Sequence, residues 1–336
     1  MDCVPVEFVK STSNLLSIIT YSSRDLLPFA QLSFPWGNVL SETALKSMSD
    51  ITVTIGSYSK RFSGKAAIHS EIRYHRSLID YTYQPITVSD YEKGVIRYMR
   101  FHGRESWWDE YGDNEENSAI LSGGLQGRTF AQIVEMSWPH LRQMDFYGFE
   151  RFAEIDFAKF RLVQPINLTM SLCSAPVETR FLPWLIEIIQ NHKIRSLTLT
   201  ENTFDVEPEL AAKLLEILPT AIIENRLFCK LSFVDNTGMP DLDGTLIQRI
   251  VEGWKNRCWE KDLEKERHRH FNLGFRGFSN NFEESVLQAQ ILPTKPGRPK
   301  HFLLEEQQNG IKHFILGNLC GGKALSLNFS VERLSD

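Results

Sequence analysis

The sequence predicts an α/β fold in which parallel strands form the sheet and the connecting helices lie on one side of it. Two segments carry this prediction, 197–202 and 231–236, where apolar residues alternate with polar ones and each run ends at an asparagine. Alternation with a period of two is typical of strands with one buried face. Each run precedes an amphipathic helical pattern, which includes Leu214 after the first and Ile250 after the second. Strands joined through a helix lie parallel, because that connection is long and nearly always right-handed.

Two further strands and one more helix extend this pattern in both directions. The four predicted strand centres, Leu168, Leu197, Leu231 and Leu273, are 29, 34 and 42 residues apart, and a helix around Trp184 lies between the first two. This spacing begins near the leucine-rich-repeat period of about 20 to 29 residues and then exceeds it. The L-x-L-x-x-N pattern after a helix resembles a degenerate leucine-rich repeat of the long, helix-containing kind. The resemblance implies an irregular array over residues 141–336, and an ordinary closed α/β domain is the alternative.

The N-terminal segment, residues 1–42, predicts two or three short helices. It opens with Val4-Pro5-Val6-Glu7-Phe8, continues through Asp25-Leu26-Leu27 and ends with Leu32-Ser33-Phe34-Pro35-Trp36. The order and spacing of these three runs resemble an F-box. The opening is also similar to the start of a large, nematode-expanded, F-box-like family whose members continue into a loose repeat pattern.

An F-box-like module followed by a repeat array implies a substrate-recognition subunit of a Skp–cullin–F-box ubiquitin ligase. Such a subunit has no active site, binds a Skp-type adaptor at one end and holds a protein target with its repeats. The second hypothesis is a repeat-type interaction scaffold with no ligase role, whose N-terminal helices only cap the array. The third is an enzyme on a doubly wound sheet. The residues that the resemblance implies for adaptor binding are Val4, Pro5, Phe8, Val9, Leu16, Leu26, Leu27, Leu32 and Trp36.

The region between the two, residues 43–140, is predicted to be β-rich. Strands are expected at 51–55, 68–74 and 95–101, followed by an acidic loop over 102–127. The region is either an irregular first stretch of the array or a separate small β unit. Trp107 and Trp108 in the loop either anchor a partner or fold back onto the parent domain. A helix at 130–136 and a strand at 141–146 complete the region.

Composition excludes several classes of function. The net charge of −5 and the pI of about 6.0 make nucleic-acid binding unlikely. The five cysteines form no C-x-x-C pair, which argues against a disulfide framework or a standard zinc site. No apolar run reaches the roughly 18 residues that span a bilayer, and the N-terminus lacks the charge pattern of a signal peptide. We therefore expect a cytoplasmic or nuclear protein without membrane contact.

The C-terminal third contains no convincing catalytic or ligand-binding motif. Residues 317–323 have the glycine and lysine spacing of a phosphate-binding loop, but Ala324 occupies the place of the magnesium-binding Ser or Thr. The charged segment 260–270 is predicted as a solvated helix end, 293–301 as a basic, proline-rich exposed loop and 325–331 as a terminal strand. No catalytic, cofactor-binding or metal-binding residue is expected, and the protein is predicted not to be an enzyme.

Overall fold

The computed structural model describes residues between 49 and 334, with larger gaps at 57–66, 76–80, 104–118, 149–154, 239–243, 260–267, 277–289 and 293–299 and several short ones. The chain divides into two compact units, residues 1–165 and 166–336. Both contain strands and helices in their described parts, which confirms the predicted α/β class.

The first unit is built on a mixed sheet. In its described part the strands are β1 (Ser49–Gly56), β2 (Ala67–His75), β3 (Tyr81–Pro85), β4 (Val95–His102), β5 (Ala119–Ile120) and β6 (Gln143–Tyr147). The sheet order is β3-β2-β1-β4-β6, with β5 beside β2, and β4 runs parallel to both β1 and β6. Helix α1 (Arg128–Ser137) contacts β4. The strands and the helix predicted for this part of the chain are confirmed.

An aromatic cluster fills the core of the first unit. The rings of Phe101 on β4 and Phe146 on β6 stack with their centroids 4.5 Å apart. Phe130 of α1 and Phe160 approach Phe101 edge-on, at 6.2 Å and 6.1 Å. The edge-to-face and offset arrangements are those that aromatic pairs prefer, so helix and sheet are joined through one packed cluster.

The second unit begins with three strand–turn–helix modules, at residues 167–190, 196–224 and 230–256. Together with the strand that follows, their elements are β7 (Asn167–Ser171), β8 (Ser174–Ala175), α2 (Phe181–Gln190), β9 (Ser196–Thr200), β10 (Thr203–Phe204), α3 (Pro208–Glu224), β11 (Lys230–Val234), α4 (Gly244–Asn256) and β12 (His268–Arg276). Strands β7, β9, β11 and β12 pair in parallel in the order of the chain. Helix α2 contacts α3, and α3 contacts α4, so the helices lie side by side.

The pairing becomes antiparallel after β12. The remaining described strands are β13 (Gln290–Leu292), β14 (Lys300–Gln308), β15 (Ile311–Cys320) and β16 (Ala324–Arg333), and the order continues β12-β16-β15-β14-β13. The parallel strands at Leu168, Leu197, Leu231 and Leu273 are confirmed, as is a terminal strand at 325–331. The sheet over 141–331 is more mixed than expected, because β16 pairs antiparallel with both β12 and β15.

The segment 260–270 needs one correction. Residues 268–270 were expected in a helix end, but they begin β12, whose alternate residues Phe271, Leu273 and Phe275 are buried. Arg269 is also buried, and its guanidinium donates hydrogen bonds to the carbonyl oxygens of Ile222 at 3.1 Å and Asn225 at 2.7 Å. This cation therefore caps the C-terminal end of α3, where the helix leaves carbonyl groups unpaired.

Candidate protein-recognition surface

A buried asparagine closes the strand of the second module. Asn202 has 1 % of its surface exposed, and its side chain takes part in three hydrogen bonds. Its amide nitrogen donates to the carbonyl oxygen of Met170 at 2.9 Å and to Oδ1 of Asn236, also at 2.9 Å. Its Oδ1 accepts from the backbone N–H of Cys173 at 3.0 Å. One side chain therefore satisfies backbone groups of the preceding module that would otherwise be buried without partners.

The same arrangement recurs one module later. The amide nitrogen of Asn236 donates to the carbonyl oxygen of Leu199 at 2.9 Å, and its Oδ1 accepts from the backbone N–H of Asn202 at 3.1 Å. Asn202 and Asn236 thus occupy equivalent positions, and we call the pair the asparagine ladder. Cys173 holds the corresponding position in the first module, three residues after the inward-facing Met170.

A left-handed backbone residue precedes each of these positions. Leu172, Glu201 and Asp235 have φ values of 55°, 53° and 50°. This conformation is unfavourable for residues other than glycine, so its recurrence indicates that the surrounding hydrogen bonds impose the turn. The turn directs the chain from the main sheet into β8 and β10, which form a short parallel ladder of their own. The modules are therefore held in register at the strand ends as well as along the strands.

The face of the main sheet that carries the alternate, non-core residues presents mostly polar side chains. The central row joins Thr169, Thr198, Ser232 and Gly274 across β7, β9, β11 and β12, and Ser326, Asn318 and His301 continue it across β16, β15 and β14. Hydroxyl and amide groups both donate and accept, and their small size lets a partner backbone approach closely. We call this surface, with the rows on either side of it, the open face.

The rows beside the central one differ in chemistry across the sheet. Asn167, Ser196, Lys230 and Asn272 align across the parallel strands, whereas Leu316 and Leu303 are paired on the antiparallel strands. Leu316 is 39 % exposed. The open face is thus polar on its parallel strands and has an apolar patch, Leu303 and Leu316, on its antiparallel strands.

The antiparallel half of the open face carries an ion pair and hydrogen-bonded side chains. Lys312 lies 3.1 Å from Glu305, with its ammonium 5.8 Å from the ring centroid of Phe314. His270 and Ser330 are joined by a hydrogen bond of 2.5 Å. The charges of Lys312 and Glu305 therefore offset each other on this half of the open face.

Chemistry of an active-site kind is sparse in the described residues. No group of three His, Cys, Asp or Glu side chains there is placed to hold a metal ion. Burial, together with the nearby Arg100, lowers the pKa of His102 to about 4, and burial also lowers the pKa of His313. Both imidazoles are therefore neutral at pH 7, and His313 lies edge-on to Trp259 in the core. None of the helices in the described part of the chain has the length and apolar character that crossing a membrane requires.

The nine residues predicted for adaptor binding, Val4, Pro5, Phe8, Val9, Leu16, Leu26, Leu27, Leu32 and Trp36, all lie outside the described residues. The same is true of Trp107 and Trp108.

The asparagine ladder was not predicted from the sequence, where Asn202 and Asn236 were identified only as the residues at which two strands end. The pattern that could have indicated it is the position of Cys173, Asn202 and Asn236, each three residues after a buried strand residue.

A comparison of the chain with protein-family models, with curated proteins and with solved structures finds no match.

Proposed function

We propose that the chain is the non-catalytic substrate-recognition subunit of a Skp–cullin–F-box type ubiquitin ligase, acting in the cytoplasm or nucleus. Residues 1–42 would bind the Skp-type adaptor, and residues 141–336 would form an irregular leucine-rich-repeat-like array that holds a protein target. The array half of this proposal rests on the modules. The adaptor half rests on the resemblance of the N-terminal segment to an F-box.

The observation that carries the recognition role is the open face. Parallel strands in chain order, joined at their ends by the asparagine ladder, present the hydroxyl groups of Thr169, Thr198 and Ser232 in one row. Repeat arrays use such extended sheets as binding surfaces because each repeat adds one more strand to the same face. The buried ladder makes the face rigid before a partner arrives, which lowers the entropy cost of binding.

A subunit of this kind accelerates ubiquitin transfer by proximity alone. Binding the adaptor at one end and the target at the other raises the effective concentration of the target near the transfer machinery. This explains why the proposal needs no acid, base, nucleophile or cofactor in the array.

Two other functions compete with this proposal. A repeat-type interaction scaffold shares the open face but does not bind an adaptor, and the described residues support it equally. An enzyme on a doubly wound sheet is disfavoured, because its ligand binds where the strand order reverses. Strands β7, β9, β11 and β12 follow the order of the chain without a reversal.

Capture of the adaptor separates the ligase subunit from the scaffold. We expect the full chain to co-purify with a Skp-type adaptor and the Leu26→Asp, Leu27→Asp double variant to lose it, because the new carboxylates would be desolvated without partners. The matched control is Ala212→Asp with Lys213→Asp, two adjacent exposed positions on α3. Both variants are first checked for an unchanged thermal midpoint. A folded wild-type chain that never captures the adaptor would leave the scaffold as the function.

A further inference from the structure

A cavity of about 460 Å³ lies in the second unit, where the first two modules pass from strand to helix. Its walls come from equivalent segments of those modules, 175–183 and 204–210. The two segments are tied together at β8 and β10, where the backbone N–H of Asp205 donates to the carbonyl oxygen of Ala175 at 3.1 Å. The cavity is therefore a product of the module repeat and is separate from the open face.

Internal hydrogen bonds fix the shape of the cavity wall. The hydroxyl of Thr179, a buried residue, donates to the carbonyl oxygen of Pro176 at 2.7 Å. The same oxygen atom of Thr179 accepts from the backbone N–H of Phe181 at 3.3 Å, at the start of α2. Arg180 between them adopts a left-handed conformation with φ of 57°. A wall held in this way is preformed, so a ligand need not order it.

The floor of the cavity is apolar. Phe181 and Phe204 stack with their ring centroids 5.7 Å apart, and both are buried. Val177 is 37 % exposed among the residues that line the cavity. This combination favours an apolar side chain of a ligand, since its burial would remove apolar surface from water on both partners.

The rim of the cavity is acidic. Three exposed carboxylates, from Glu178, Asp205 and Glu207, line it against one cation, Arg180. Within the described residues, none of these four side chains makes an ion pair or a hydrogen bond. Helices α2 and α3 also begin here, and each helix end adds about half a positive charge. Two helix ends therefore offset about one of the two excess negative charges, and the rim remains negative.

We propose that this pocket binds a short segment of a partner protein in which an apolar side chain lies next to lysine or arginine. The apolar side chain would enter above Phe181 and Phe204, and the basic group would meet the unpaired carboxylates at the rim. Charge complementarity of this kind selects partners and speeds their encounter. The inference goes beyond the ligase role, because it depends on the first two modules and not on adaptor binding.

The test uses three fluorescein-labelled, N-acetylated, C-amidated peptides and the full chain, with binding followed by fluorescence anisotropy. The peptides have the sequences LRLR, LELE and GRGR. We expect LRLR to bind, and both LELE and GRGR to bind at least about tenfold more weakly, because one lacks the positive charge and the other the apolar side chains. The peptide is held at a low, fixed concentration and the chain is titrated to about 1 mM, so that a dissociation constant as weak as about 1 mM is still detected.

Two charge-matched variants locate the binding. Neutralising the rim with Glu178→Gln, Asp205→Asn and Glu207→Gln should weaken LRLR binding about tenfold, because the arginine side chains of the peptide lose their carboxylate partners. Neutralising Glu187, Glu216 and Glu224, which are exposed on the same two helices away from the rim, should change it less than about twofold.

Three outcomes would overturn the proposal: no binding of LRLR by the wild-type chain, equal binding of GRGR, or an equal loss in both neutralised variants. If the wild-type chain does not bind LRLR, the rim carboxylates only offset the partial positive charges at the starts of α2 and α3. The other two would indicate non-specific attraction to an acidic chain. Failure of adaptor capture would not alter this titration, so the two proposals fail independently.

Discussion

At the scale of single residues, Asn202 links two modules through groups that cannot reach water. Asn202→Ala removes the donor to Met170 and the acceptor for Cys173, which leaves two buried backbone groups unsatisfied. Each such group costs about 1 to 3 kcal/mol, so we expect the free energy of unfolding of the second unit to fall by about 2 to 4 kcal/mol. Urea denaturation followed by circular dichroism measures this change.

The control for Asn202 is Asn191→Ala, which truncates an exposed asparagine at the end of α2. It should alter the free energy of unfolding by less than about 0.5 kcal/mol. Equal effects of the two substitutions would mean that the asparagine ladder contributes no more than a surface residue.

Buried His102 makes the stability of the first unit depend on pH. Its folded pKa of about 4 lies below the ordinary value of 6.5, so between these values the unfolded chain binds a proton that the folded chain does not. Stability therefore falls as the pH drops from about 6.5 to about 4, by roughly 3 kcal/mol for a shift of this size. Denaturant midpoints of wild type and His102→Gln across this range measure the effect. A slope that His102→Gln does not reduce would contradict it.

At the scale of elements, the packing of α3 on the sheet rests on Leu214, which is 1 % exposed. Leu214→Ala should lower the free energy of unfolding by about 2 to 5 kcal/mol, because apolar contact is lost and a cavity remains. Leu227→Ala, the same truncation at a site that is 50 % exposed, is the control and should cost much less. Thermal midpoints compare the two, and equal shifts would contradict the position of α3.

Elements with a strong local period could be predicted from the sequence, and those fixed by distant contacts could not. The period of two at Leu197 and Leu231 and the helical period at Leu214 gave the three modules. The start of β12 was missed because residues 268–270 continue a charged segment that lacks an alternating apolar pattern. The contacts of Arg269 could not be predicted, because its partners are carbonyl oxygens more than 40 residues away in the sequence. The short link between β15 and β16 could have indicated an antiparallel hairpin, since parallel strands need a longer connection.

At the scale of the whole molecule, we propose target recognition for residues 141–336 and adaptor binding for residues 1–42. The open face follows from the modules, and its chemistry could be predicted in outline, since the residues between the apolar ones at 197–199 and 231–233 are Thr198 and Ser232. The cavity could not be predicted from the sequence, because the carboxylates at its rim come from two modules that only the fold brings together. Adaptor binding by residues 1–42 stays a prediction.

The proposed function depends above all on recognition of a protein target by the open face. The most direct measurement compares, by quantitative mass spectrometry, what co-purifies with the tagged wild-type chain and with two double variants. Thr198→Arg with Ser232→Arg places two large cations in the central row of the open face, and Ala212→Arg with Glu216→Arg places them on the exposed side of α3. We expect the open-face variant to lose the target while keeping the adaptor, and the α3 variant to keep both. A target that the open-face variant retains and the α3 variant loses would contradict it.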